Sequence, residues 1–129
     1  MKNGAGEMKK GDIVVAAPHG EYGKPRPAVI VQDMDIDDIE SVILCLMTST
    51  IKNSVLRVTV EPSAQTGLQN VSQVMTDKLM TVRKAKIAKV IGRIPDDAME
   101  KIDQALILLF GLARKKLLTN ERPRDLGGC

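Results

Sequence analysis

The octapeptide SVILCLMT, residues 41–48, decides the fold. Its apolar side chains fall on both alternating faces, and such a strand must be covered on two sides. It reads as the central strand of a sheet. Upstream lie two more β-branched runs, DIVVAA (12–17) and PAVIVQ (27–32), joined by a loop through Pro18, Gly20, Gly23 and Pro25. The acidic DMDIDDIE (33–40) reads as a turn or short helix leading into the central strand. Downstream, VLRVTV (55–60) alternates like a half-exposed strand. After the loop EPSAQTGLQN come VSQVM (71–75) and KIAKVIGRI (86–94). Short, evenly spaced, turn-separated strands suit a small barrel or sandwich.

One helix is expected, within IPDDAMEKIDQALILLFGLARKKLL (94–118). Pro95 blocks extension upstream, Asp97 can cap, and Glu100 three residues later completes a capping box. Ala98, Ile102, Ala105, Leu106, Leu109 and Ala113 form one apolar stripe. Ile107, Leu108 and Phe110 widen it beyond what one core face needs, which points to an oligomer contact. Residues 1–10 are expected to be a flexible leader, 11–113 the folded domain, and 114–129 a basic, disordered tail. No internal repeats occur.

At 129 residues the chain is one domain, long enough to bury a core without staples. Apolar residues make up 43% and aromatics only 2%, so Val, Ile, Leu and seven Met must fill the core. Tyr22 and Phe110 are the only aromatics, which excludes nucleic-acid modules that stack bases on aromatic platforms. No run approaches the roughly 18 apolar residues of a membrane span, and no signal peptide is visible. Cys45 falls in an expected buried strand and Cys129 at the terminus, so a reducing, cytoplasmic setting is expected. The net charge is +3, and the surplus lies in the tail from Arg114 onward. Within 1–113 the charge balances but is segregated. Residues 33–40 carry five acids and no base, whereas KLMTVRKAKIAKVIGR (78–93) carries six bases and no acid. A basic surface of that kind suits a polyanion.

Elimination narrows the chemistry. His19 is the single histidine, which rules out a two-histidine ribonuclease site and a multi-histidine zinc site. No CxxC, phosphate-cradling P-loop or GxGxxG is present. The dense carboxylates of 33–40 read as a surface turn, so neither a metal nor a cofactor is expected. What remains is a loop with His19, Glu21, Tyr22, Lys24 and Arg26, together with strand-end polar residues: Thr48, Ser49, Thr50 and Asp77.

Taken together, GDIVVAAPHGEYGKPRPAVIVQ, VILCLMTST and VMTDKLMTVRKAKIAKVIGRIPDDAMEKIDQAL resemble the MazF/PemK (Kid) toxins, in order from about Gly11 to Leu112. The opening Gly-Asp and the Arg-Pro leading a hydrophobic strand carry the likeness most specifically. The resemblance implies an SH3-like small barrel, mainly β, with a C-terminal helix. It implies a cytoplasmic homodimer that cleaves single-stranded RNA without metal and is neutralised by a cognate antitoxin. Carried across by residue, the family's Arg before Pro matches Arg26, its Thr after the third strand Thr48, its first-loop acid Glu21, and a later acid Asp77. His19 is one residue out of register with the loop histidine of PemK/Kid. Those members also have an Arg two residues before the later acid, where Met75 stands here, so the resemblance in mechanism is to the MazF-like members. Arg26, Thr48 and Glu21 are then the expected catalytic residues, with Glu21 the better base and Asp77 the alternative. His19, Tyr22, Lys24, Ser49, Thr50, Asp77 and Lys78 are expected to contact RNA. Two other readings stay open: a CcdB-like gyrase-binding toxin, and an inactive relative that only binds a partner.

Overall fold

The computed structural model describes residues 8–16, 24–36 and 39–112. His19, Glu21 and Tyr22, the first seven residues of the expected leader, and the tail lie outside them. Among the described residues six strands form one antiparallel sheet: β1 (Asp12–Ala16), β2 (Arg26–Ile30), β3 (Ser41–Thr48), β4 (Arg57–Val60), β5 (Ser72–Arg83) and β6 (Ile87–Arg93). They are ordered β4-β5-β3-β2-β1-β6, and the helix α1 (Asp96–Phe110) follows.

β3 sits inside the sheet and is covered on both sides, as its sequence requires. Cys45 and Met47 join Ile13, Val29, Val58, Val60 and Val74 beneath Ala98 and Ile102 of α1. Val42 and Leu44 face the other way, into a second cluster with Met8, Val14, Ala16, Ala28, Ile30, Val82 and Ile87. The segment between β4 and β5 spans from one sheet edge toward the other. Gln65 O accepts from Arg93 N of β6 at 2.8 Å, and this tie closes the barrel. The approach is tight: a Cβ at Gly92 would stand 2.1 Å from Thr66 O, and one at Gly67 2.0 Å from Ile91 O. Thr66, fully buried, holds the segment's shape by accepting from Ser63 N and donating to Glu61 O.

Three expectations shift. Packing begins at Met8 rather than Gly11. Met8 is buried, Lys9 N donates to Asp12 Oδ2, and Lys10 pairs with Asp103 at 3.0 Å. The opening Gly-Asp explains this, since Gly11 (φ 95) bonds both Ile30 and Ile94 while Asp12 also takes Arg93 Nη1 at 2.9 Å. The capping box does not form. Pro95 occupies the N-cap and Asp97 lies in the first turn, its carboxylate accepting from Ala98 N. Finally, β5 runs on through residues 76–83, far past the expected end at 75.

Candidate active site

The site is built where the β2–β3 ladder opens. Its paired residues are Ala28↔Leu46, Val29↔Cys45 and Ile30↔Leu44, and the pairing stops at Ala28. Pro27 has no N–H to donate, so the ladder cannot continue through it. The pairs end at Ala28↔Leu46; counted on by two residues, the same register would set Arg26 across from Thr48. Side chains alternate along a strand, so both project on the side of Ala28 and Leu46, away from α1.

Arg26 is exposed and is the first residue of β2, paired with Ala16 of β1. Its backbone is fixed on one flank by the β1 ladder and restricted on the other by Pro27. The row continues across the sheet, because Thr48 is paired with Gln73 of β5 and Gln73 with Thr59 of β4. Thr48 Oγ1 accepts from Thr50 N at 3.0 Å. Among the described residues its hydroxyl has no acceptor, so its proton is available to donate. Ser49 and Thr50 follow, both exposed, and Lys24 is exposed two residues before Arg26. The structure thus brings Arg26, Thr48, Ser49 and Thr50 to one end of the sheet.

Asp77 and Lys78 lie further along β5, past a break in its pairing with β3. Cys45 opposes Leu79, but two residues on, Met47 opposes Val74. Asp77 is already engaged. Arg57 donates to its two carboxylate oxygens from Nε at 3.0 Å and from Nη2 at 3.3 Å. Those hydrogen bonds, with the guanidinium charge behind them, hold the Asp77 carboxyl below the usual carboxylate range. A carboxylate so held is a poor proton acceptor. Cys45 is no nucleophile, because burial, reinforced by the Asp77 charge, pushes its thiol up to about 12.

Sequence reasoning missed Arg57, Thr59 and Gln73. Arg57 and Thr59 carried one usable signal, since they alternate with the apolar Val58 and Val60 and so had to face away from α1. Arg57 stands directly opposite Met75. A cation is therefore present beside the acid, supplied from β4 instead of from residue 75.

Residues 9–110 match the family model described as PemK-like, MazF-like toxin of type II toxin-antitoxin system. The chain belongs to this family. The toxin is 40% identical over 108 residues to a probable endoribonuclease MazF of Mycolicibacterium smegmatis, covering 82% of this chain and 99% of that protein. It is 28% identical over 112 residues to the endoribonuclease EndoA of Bacillus subtilis, covering 81% and 96%. Among solved structures it resembles an endoribonuclease in complex with its cognate antitoxin from a mycobacterial species. The TM-score is 0.70 at 22% identity, over 81% of this chain and 96% of that one. That likeness establishes the toxin's fold as a mostly antiparallel β structure with one C-terminal helix.

Proposed function

We propose that this toxin is a metal-independent endoribonuclease that cuts single-stranded RNA at the Arg26–Thr48 end of the sheet. The observation that carries the reading is the end of the β2–β3 ladder at Pro27, which leaves Arg26 exposed at the entry of β2, with Thr48 at the end of β3. RNA brings its own nucleophile, the 2′-OH beside the scissile phosphate. The protein has to align it, take its proton and stabilise the crowded pentacoordinate phosphorus. Alignment by itself contributes several kcal/mol. Arg26 offers two planar donors to two phosphoryl oxygens, and its restricted backbone spares reorganisation as charge develops. Thr48 adds a neutral hydrogen bond to the phosphate. As the 2′-oxygen bonds to phosphorus the P–O5′ bond breaks and the departing 5′-oxygen takes a proton from solvent, giving a 2′,3′-cyclic phosphate and a 5′-OH.

The base is assigned to Glu21, since Asp77 is committed to Arg57. His19, Tyr22, Lys24, Ser49, Thr50 and Lys78 supply contacts to the RNA. Exposed Ile107, Leu108, Leu109 and Phe110 on the last turn of α1 support a homodimer. The basic residues Lys78, Arg83, Lys84, Lys86 and Lys89 suit an acidic, disordered antitoxin segment that folds over the RNA surface. The setting is cytoplasmic; no helix among the described residues is long and apolar enough to cross a membrane.

The test is an RNA carrying one deoxyribose 5′ to the scissile phosphate, incubated with the toxin in EDTA. All-ribose RNA should be cut and the deoxy substrate bound but left whole. Cleavage of the deoxy substrate at the same position would mean that water or a protein group attacks, and the assigned roles would fall.

A further inference from the structure

Gln73 is a buried amide on a strand, 3% exposed, that no step of the proposed cleavage uses. It stands between Thr48 on β3 and Thr59 on β4. Its side chain is fully committed. Oε1 accepts from Lys52 N at 2.9 Å, and Nε2 donates to Lys52 O at 2.9 Å and to Thr59 Oγ1 at 3.2 Å. Bonding both the N–H and the C=O of one residue copies the pairing a neighbouring strand would make. The segment so held, residues 49–56, joins β3 to β4 and has no strand of its own. Its far end is tied to β5 by Thr76, whose N and Oγ1 both donate to Leu56 O, at 3.1 and 2.7 Å; nearer Thr48, Gln73 is the anchor from β5 among the described residues. Residues 49–55 are all exposed, and the two large apolar side chains among them, Ile51 and Val55, are 52% and 75% exposed. A segment with so few buried contacts would ordinarily move.

We infer that Gln73 is a positioning residue for RNA cleavage, locking residues 49–56 so that Ser49 and Thr50 stand fixed beside Thr48. The inference rests on the reading that Thr48 and its neighbours contact the scissile phosphate. The amide itself touches no substrate. It acts through Lys52, three residues beyond Ser49, and through the hydrogen bond that Thr50 N makes to Thr48 Oγ1. Misplacing such contacts by about 1 Å costs up to a hundredfold in rate.

The experiment measures kcat and KM for a short single-stranded RNA with four proteins: the parent, Gln73→Leu, the double variant Ser49→Ala/Thr50→Ala, and the combination of all three changes. Far-UV circular dichroism checks the fold. Gln73→Leu should lower kcat by roughly tenfold or more while the spectrum is unchanged. In the Ser49→Ala/Thr50→Ala background the same change should cost much less, because the groups it positions are already gone. Effects that multiply in full would overturn the inference, as would a folded Gln73→Leu with parental kcat and KM. If Gln73→Leu does not fold, Gln73→Glu replaces it, keeping the acceptor for Lys52 N and losing both donors. Thr48→Val in the same assay separates the two readings. A fully active Thr48→Val overturns the site assignment, and the role of Gln73 with it. An impaired Thr48→Val beside an unaffected Gln73→Leu overturns only the positioning role.

Discussion

Replacing Asp77 by Asn removes the partner of a guanidinium that has little other solvation. The Arg57 side chain is 10% exposed and that of Asp77 32%, and two hydrogen bonds join them. Exposed pairs contribute about 0–1 kcal/mol, whereas stripping one partner from a fully buried pair costs about 3–5 kcal/mol. With one partner nearly buried and the other a third open to screening water, the cost of Asp77→Asn falls between, at about 2 kcal/mol. For a folded body of about a hundred residues this lowers Tm by roughly 8 °C. The pH dependence follows from the direction of the shift. Asp77 titrates below its unfolded value, so its contribution is present above pH ~4 and is lost as pH falls through the lower, folded value. Thermal melts of parent and variant at equal protein concentration, from pH 7 to pH 2.5, should show a constant gap down to about pH 5 that closes below pH ~4. Equal melting temperatures at pH 7, or a gap that survives undiminished at pH 2.5, would refute the argument.

Arg26→Ala should lower the cleavage rate by roughly a hundredfold or more, as losing one oxyanion donor does. Arg26→Lys should recover only part of it, because a point charge cannot span two phosphoryl oxygens; single-turnover kinetics would show both. Gly92→Ala should destabilise the fold by at least ~2 kcal/mol in denaturant melts, since its Cβ would meet the Thr66 carbonyl, a backbone atom that cannot swing aside. Light scattering at micromolar concentration should give the mass of a dimer, and Phe110→Asp should shift it toward the monomer.

The parts of the fold that were legible are those written in local pattern. Val42, Leu44, Cys45 and Met47 declare a strand buried on both sides, and the Arg-Pro step declares a fixed strand entry. The second half of β5 was hidden by Asp77 and Lys78, residue types depleted in strands, and by the break in its pairing with β3. There the charge pattern of 78–93 spoke louder than the alternation of Met80 and Val82 with Thr81 and Arg83. The capping box failed because Pro95 already supplied the extended N-cap, pushing Asp97 into the first turn. Gln73 could not be found from sequence at all. Its partners, Lys52 and Thr59, lie 21 and 14 residues away, and a buried glutamine in VSQVM looks like any strand residue facing water.

The two flanks of Thr48 are built in opposite ways, and the contrast bears on how the site works. Toward β2, Pro27 removes a donor and the pairing ends, leaving Arg26 exposed on a backbone restricted by the β1 ladder and by Pro27. Toward β5 and β4 the hydrogen bonding exceeds what the ladders alone provide, because Gln73 ties a strandless segment down and Arg57 and Asp77 fix each other. A flexible chain cut by its own hydroxyl gains most from surroundings that do not move, because in-line geometry has to be held while the phosphorus is crowded. In the proposed cleavage, the opening would admit the RNA and the tied flank would hold the contacts that orient it. Loosening the tied flank should show in kcat before it shows in KM, since the ground state tolerates a misplaced phosphate and the transition state does not.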